Sequence, residues 1–489
     1  MANDRINVDN ARMLLAGSRV GAGASEHRLS PETCDLKVGG RWFPTSVSSP
    51  AAAVQDSQYR TMPRILLIAT LRWPVAARLA LAFRGLGCHV ESVCPIGHPV
   101  DRLRFSARSH RYSATRPLES LLMAIRCAVP DLIVPCDDAA SLYMHQLYEQ
   151  LRAGNEGGAA DVVLLIERSL GCPSACALAS ARGDMADLAA REGLRVPDTR
   201  IIASAAELNE WVAGHAFPVV LKVDNTWGGL GVRIVRNGDE AQRAFRILSE
   251  GPSLSKTLLR TALDRDPSLL PLWLKHVPRT VTVQDFLRGV PANRAVACWR
   301  GQVLAGISVE ALNTGGPTGP ATVIRVIDHA EMSDTAARLV KRLGLSGLWG
   351  FDFMLDTSAH AAWLIEVNPR ATPICHLSLG KGSDLPAALC SQLTGGHVEL
   401  PRTSIDGDVI ALFPGEWRRN PTSQALHEAY HDVPWGEPGL VDDGMGMPWE
   451  ERGLLARIRK QLRMLRIHKT ADDAVHAEGR IISRPRAHR

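Results

Sequence analysis

Two stretches of the chain, Gly350-Phe-Asp-Phe-Met-Leu-Asp356 and Ala362-Trp-Leu-Ile-Glu-Val-Asn368, carry carboxylates inside runs that otherwise belong in a core. Their length and composition predict the two strands of a hairpin. Residues two apart in a strand point to one face. Glu366 and Asn368 therefore share a face, which Arg370 extends, and Asp352 sits on the neighbouring strand. A buried, unpaired carboxylate is costly, so a metal or a cationic group is expected beside these acids. Two carboxylates and an amide oxygen are hard-oxygen ligands suited to Mg²⁺ shared with substrate phosphates. An arginine next to them recognises phosphate oxygens bidentately. The plainer alternative is a structural Glu–Arg pair.

A second feature lies upstream. Residues 218–232 read PVVLKVDNTWGGLGV, an apolar run with one lysine that breaks into a glycine loop. Glycines let backbone N–H groups approach phosphate oxygens closely, and a nearby ammonium supplies charge. Lys222 precedes Gly228, Gly229 and Gly231, so this is neither a Walker A loop nor a dinucleotide fingerprint. A hairpin turn with a surface lysine would read the same way. A third stretch, Gln284-Asp-Phe-Leu-Arg-Gly289, is an extended segment that either leaves a sheet to meet an adenine edge or is plain strand.

Around these motifs the chain divides into four parts. Residues 1–61 are rich in Ser, Gly, Pro and Ala without sustained periodicity and read as an irregular leader. Residues 62–168 alternate buried strand and helix: Met62 to Thr70, Val75 to Leu86, His89 to Cys94, Ser120 to Ala128, and Asp131 to Cys136 followed by Asp137-Asp138. That alternation predicts a small parallel α/β domain. Residues 169–400 hold the three motifs, with helices at Asp184–Glu192, 240–248 and Ser333–Leu343. A strand at 280–287 and a hairpin turning at Arg300-Gly301 complete this part, and residues 251–278 form a Pro- and Leu-rich insertion. Residues 401–489 are a C-terminal extension.

In this order, Lys222 to Val232, Gln284 to Gly289, Phe351-Asp352-Phe353 and Glu366-Val-Asn368-Pro-Arg370 resemble the landmarks of the ATP-grasp superfamily over roughly residues 170–395. The resemblance implies an α+β fold of two subdomains whose sheets sandwich ATP, preceded by a parallel pre-ATP-grasp domain. It implies a ligase that makes an acylphosphate from a carboxylate and passes it to an amine, or to a similar nucleophile, with ATP and Mg²⁺ (or Mn²⁺). By the same resemblance Lys222 and Arg182 hold phosphates, and Gly228, Gly229 and Gly231 close over them. Gln284, Asp285, Phe286 and Leu287 present backbone to adenine. Asp352, Glu366 and Asn368 bind the metal, and Arg370 steadies the transferred phosphoryl group. Two positions depart from the pattern. Arg182 stands where a lysine is common, and Pro291, Ala292 and Asn293 follow the adenine segment where an acidic ribose contact is common. Residues 315–322 and Thr372 to His376 lie where such enzymes shape the acceptor side; either the first is a Gly/Pro turn, and His376 a structural histidine, or both serve function. Biotin-carboxylase-like carboxylation and a non-catalytic ATP-binding regulator are the competing readings. No Met-Lys-Met biotin-attachment signature occurs, and the retained Lys222, Asp352, Glu366, Asn368 and Arg370 argue against lost turnover.

Charge narrows the partners. Eleven Lys/Arg and four Asp/Glu fall between Glu451 and Arg489, which leaves 45 against 47 elsewhere. The body is near neutral, which argues against nucleic acid as a partner. Within the basic end, Leu454, Leu455, Ile458, Leu462 and Leu465 recur at helical spacing. That helix reads either as membrane-surface binding or as packing on the body or a protein partner. Ten scattered cysteines without C-x-x-C, and no apolar run near 18 residues, lead one to expect a soluble cytoplasmic protein.

Overall fold

The computed structural model describes residues 62–446 apart from 106–107, 155–158, 225–230, 251–278, 317, 357, 381, 397, 399–404 and 406. Outside that range it describes one antiparallel pair of two-residue strands, Lys37–Val38 and Arg41–Trp42, within the leader read as irregular. Contacts divide the chain into two units at Thr61/Met62. The basic C-terminal helix, the 251–278 insertion, Trp227 and the loop glycines Gly228 and Gly229 lie outside the described residues.

The second unit opens with β1 (Arg64–Ile68), whose apolar residues are buried on both faces. A strand of that composition belongs in a covered parallel sheet. After α1 (Val75–Gly85), Gly87 adopts φ +85° and turns the chain into β2 (His89–Cys94). The short strand β3 (Ser109–Arg111), α2 (Pro117–Ala128) and β4 (Leu132–Pro135) complete a parallel sheet ordered β3-β2-β1-β4. The strand order reverses between β1 and β4. In open α/β sheets the crevice outside the strand ends at such a point is where ligands bind.

Three helices then carry the chain onward: α3 (Asp138–Ala153), α4 (Ala159–Leu170) and α5 (Pro173–Ser180). The expected boundary at 168/169 thus falls inside α4, because Ile166 and Leu170 bury in the same apolar cluster as β1. Next comes α6 (Arg182–Arg191), which starts two residues earlier than the sequence suggested.

A four-stranded antiparallel lobe follows. It comprises β5 (Thr199–Ile202), α7 (Ala205–Ala213), β6 (Val219–Val223), β7 (Val232–Val235), α8 (Gly238–Ser249) and β8 (Val281–Asp285). Its order is β5-β8-β6-β7, and its core, built on Leu208, Trp211, Leu221 and Val283, is its own.

The central sheet has seven strands. They are β9 (Val290–Trp299), β10 (Gln302–Thr314), β11 (Ala321–Ile327), then after α9 (Ala330–Leu343) β12 (Gly347–Asp356) and β13 (Ala361–Asn368). Beyond α10 (Leu385–Thr394), β14 (Val409–Leu412) and β15 (Tyr430–Asp432) finish it. The order is β13-β12-β9-β10-β11-β14-β15, antiparallel except for the last pair. The β9–β10 turn has positive φ at both Arg300 and Gly301, the twist a two-residue hairpin requires. Residues 409–446 were expected in the extension beginning at 401. They instead join the body, because β14 pairs with β11 and Leu412 buries in the core.

Leu66 and Ile68 of β1 share one apolar cluster with Trp349, Phe351 and Phe353 of β12. The parallel and central sheets are therefore held against each other by common burial. Among the described residues no helix is long and apolar enough to cross a membrane.

Gly171 is where α4 meets the turn before β12. Its φ is +82°, and a Cβ there would come within 2.2 Å of the Gly344 carbonyl oxygen. Gly171→Ala is expected to cost about 1–3 kcal/mol from backbone strain alone. Thermal unfolding checks this: the midpoint should fall by several degrees, and an unchanged midpoint would refute the close approach.

Candidate functional site

The hairpin of β12 and β13 places the expected acids as neighbours. Asp352 and Glu366 face each other across the ladder, with an irregularity immediately after Asp352. Phe351 and Phe353 turn into the core on one side, so Asp352 projects to the other. Two amides grip its carboxylate: Asn368 Nδ2 donates to Oδ2 at 2.8 Å and Asn293 Nδ2 to Oδ1 at 2.6 Å. Asn293 reaches it from β9, the strand on the other side of β12.

Arg370 closes one end of this group. Its Nη2 donates to Asn368 Oδ1 at 3.2 Å and its Nε to Asp138 Oδ2 at 2.9 Å. The guanidinium also lies over the Trp73 ring, 5.6 Å from the centroid. Asp138 begins α3, and that end of α3 is held firmly. Asp137, almost wholly buried, accepts from Ala140 N at 2.9 Å as the N-cap and from Thr70 Oγ1 at 2.8 Å. Ser141 Oγ donates to the Pro369 carbonyl, and Ala371 N donates to Pro135 O at 3.0 Å. The end of β4 and the end of β13 are thus joined at the site.

The lobe supplies the opposite wall. In β6, Val219, Leu221 and Val223 enter the lobe's core, which turns Lys222 the other way, and its Nζ donates to Ile365 O at 3.4 Å. Thr282 of β8 stands directly across from Lys222. Arg182, at the start of α6, donates from Nη2 to Glu366 Oε1 at 2.7 Å and from its backbone N–H to Asp224 Oδ1 at 3.2 Å. Its Nη1 also donates to Val223 O.

Charge is dense here, and burial sets its behaviour. Burial lowers the Lys222 pKa from the ordinary 10.5 to about 8, although Glu366 pulls the other way. Burial raises Asp224 to about 6 against the pull of Arg182. It also raises Asp352, with repulsion from Glu366 adding to the shift. Burial pushes Glu366 up too, but Arg182, Lys222 and Arg370 outweigh it and hold that carboxyl below its ordinary value. The acids split: Glu366 has cations for partners, while Asp352 has mainly amides.

Lys222, Arg182, Asp352, Glu366, Asn368 and Arg370 lie close together. Gly231 is buried at the start of β7, its carbonyl accepting from Val223 N at 3.1 Å. Gln284 is buried on the Lys222 face of the lobe and borders a cavity of about 20 Å³ with Arg182 and Glu366. A purine base needs far more room, so these side chains must move to admit one. Asp285 ends β8, and its backbone N–H is taken by Asp198 O at 3.0 Å, whereas Phe286 and Leu287 follow the ladder.

Sequence reasoning did not single out Asp138, Asn293 or Asp224 for the site. Asn293 had been noted only as standing in the region of a ribose contact; the β9–β12 register takes it to Asp352 instead. His376 Nε2 pairs with Asp432 Oδ2 at 2.8 Å, deep in the body, and Arg78 also pairs with Asp432, which suits a structural histidine. Between β10 and β11, Gly315 N donates to Pro320 O at 2.9 Å. Among the described residues no three His, Cys, Asp or Glu side chains converge as a metal cage. The oxygen donors on β12 and β13 are two carboxylates plus the Asn368 amide.

Because burial disfavours its charge, Lys222 opposes folding while it is protonated. Below about pH 8 both states hold the proton and the penalty is full; between there and 10.5 the unfolded chain alone keeps it, so the penalty fades as pH rises. Lys222→Met is therefore expected to raise the thermal midpoint at pH 7 and to gain progressively less above pH 8. A midpoint that falls at pH 7 would contradict the burial cost.

Residues 273–373 match the sequence model of an ATP-grasp domain. The large chain of carbamoyl phosphate synthase from Rubrobacter xylanophilus is 23% identical over 232 residues, 46% of this chain and 20% of that one. Its Thermus thermophilus counterpart is 26% identical over 210 residues, 42% of this chain and 18% of that one. The chain thus matches about a fifth of the length of these curated relatives. Among solved structures, biotin carboxylase from Campylobacter jejuni aligns with a TM-score of 0.49 at 16% identity, covering 70% of this chain and 72% of that one. L-amino acid ligase from Bacillus licheniformis aligns with 0.45 at 15% identity, covering 68% and 76%. At residues 273–373 the chain thus matches the ATP-grasp domain, the family that its motifs resemble.

Proposed function

We propose that this protein is an ATP- and Mg²⁺-dependent ligase that activates a small carboxylic acid as its acylphosphate and transfers the acyl group to an amine. The observation that carries this reading is the convergence of Lys222, Arg182 and Arg370 on Glu366, Asp352 and Asn368 from three separate parts of the fold. Cations placed among oxygen donors suit a polyphosphate and its metal better than they suit a purely structural network.

The donor set fits Mg²⁺. Asp352 and Glu366 are hard-oxygen ligands on adjacent strands, and their mutual repulsion is relieved by a divalent cation. Asn368 Oδ1 would supply a third oxygen in place of its contact with Arg370. Bound there, the ion would neutralise phosphate charge. Lys222 and Arg182 hold the phosphate chain from the lobe side, and Gln284 to Leu287 line the base. The substrate carboxylate oxygen attacks the γ-phosphorus, the bond to the bridging oxygen breaks, and ADP leaves. The amine then attacks the acyl carbon, phosphate departs, and the amine loses a proton. Arg370, anchored by Asp138, is placed to follow the phosphoryl group through both steps. Positioning and charge neutralisation account for the rate, without a covalent enzyme intermediate.

Purified protein with ATP, Mg²⁺ and pools of carboxylic acids crossed with amines should release ADP only when both partners are present. Bicarbonate in place of the organic acid tests the carboxylation alternative in the same assay. Glu366→Gln keeps the shape of the Arg182 contact and is expected to lower acceptor-dependent ADP release by at least about a hundredfold, with near-normal folding by circular dichroism. Full turnover in that variant would sink the assignment of metal and phosphates to this site.

A further inference from the structure

A larger cavity, of about 240 Å³, adjoins the phosphate end of the site. The two meet at Trp73, which lines the cavity and carries Arg370 over its ring. The cavity lies beyond the carboxyl ends of β1 and β2, and residues of the segment 413–444 line its other side. Three arginines line it, Arg72, Arg78 and Arg418, with one carboxylate in the lining, Asp443, which Arg102 pairs, and a second, Asp432, behind Arg78. Arg72 is braced by donating from Nε to Ile96 O at 2.9 Å, and Arg418 by donating from Nε to Gly444 O at 2.9 Å. Arg78 is turned by its pair with Asp432, and its own Nε is buried without a hydrogen-bond acceptor. The wall at Pro74 is also the start of α1, whose first turn has no side-chain cap. Unsatisfied N–H groups at a helix start add to the preference for negative charge. Phe413 and Leu440 supply an apolar side.

A volume of this size exceeds what one inorganic ion fills and suits a small organic molecule. We propose that the cavity seats the far, non-reacting anionic group of the acid substrate, a carboxylate or a phosphate, while the reacting carboxylate extends past Trp73 to Arg370. The substrate class is then a small acid with two anionic ends. The proposal rests on the ligase reading for the role of Arg370, but its test does not.

Calorimetric titration of the full-length protein without nucleotide, using succinate, glycerol 3-phosphate and the neutral analogue succinamide, tests it. At least one of the two anions should bind and succinamide should not. Arg72→Gln and Arg418→Gln should each weaken the anion about tenfold or more, the loss of one charged hydrogen bond. ATP affinity and the thermal midpoint should stay near those of the unaltered protein. Binding of succinate alone selects a dicarboxylate, and of glycerol 3-phosphate alone a phosphorylated acid; either supports the proposal. It is overturned if neither anion binds, if succinamide binds as well as they do, or if both folded variants bind like the unaltered protein. Failure of the ligase reading would appear instead as absent ADP release with anion binding intact.

Discussion

Two carboxylates side by side on buried strands, Asp352 and Glu366, set the terms for everything around them. Neither can be removed from water alone, and together they repel. The fold answers by bringing cations from elsewhere. Arg182 arrives from the start of α6, Lys222 from the lobe, and Arg370 from the end of β13 itself. The amides of Asn293 and Asn368 satisfy the acid that no cation touches directly. A site assembled this way is a poor stabiliser of the fold, since buried charge pairs barely offset their own desolvation.

Stability comes from apolar burial, and the arrangement of cores bears on the site. The parallel and central sheets share one cluster, while the lobe keeps its own. The rigid side of the site therefore carries Asp352, Asn368, Arg370 and Asp138, fixed by Asp137 and by the Ser141–Pro369 contact. The other side carries Lys222 and Gln284 on a lobe whose apolar cluster is separate from those of the body.

Much of this was legible from local pattern. Strand period placed Glu366, Asn368 and Arg370 on one side and turned Phe351 and Phe353 inward, because side-chain alternation is a property of the strand alone. Arg300-Gly301 marked a real turn, where both residues take positive φ. Asn293, Asp138 and Asp224 escaped notice for a shared reason. Each is an ordinary polar residue in its own segment, and only the pairing of β9 with β12, or the meeting of α3 with β13 and of β6 with α6, gives it a partner.

The sequence by itself determined which residue types would be buried with charge, and in what order, because hydrophobic period and motif spacing need no knowledge of distant contacts. It also determined the elements: parallel strands in the first part, antiparallel hairpins in the rest. The tertiary structure decided what no local pattern encodes. It joined 409–446 to the central sheet, ran α4 across the expected domain boundary, committed His376 to Asp432, and enclosed an arginine-lined cavity between segments more than three hundred residues apart. Register, docking and cavity shape depend on how separate elements share buried surface, and that surface exists only once they have met.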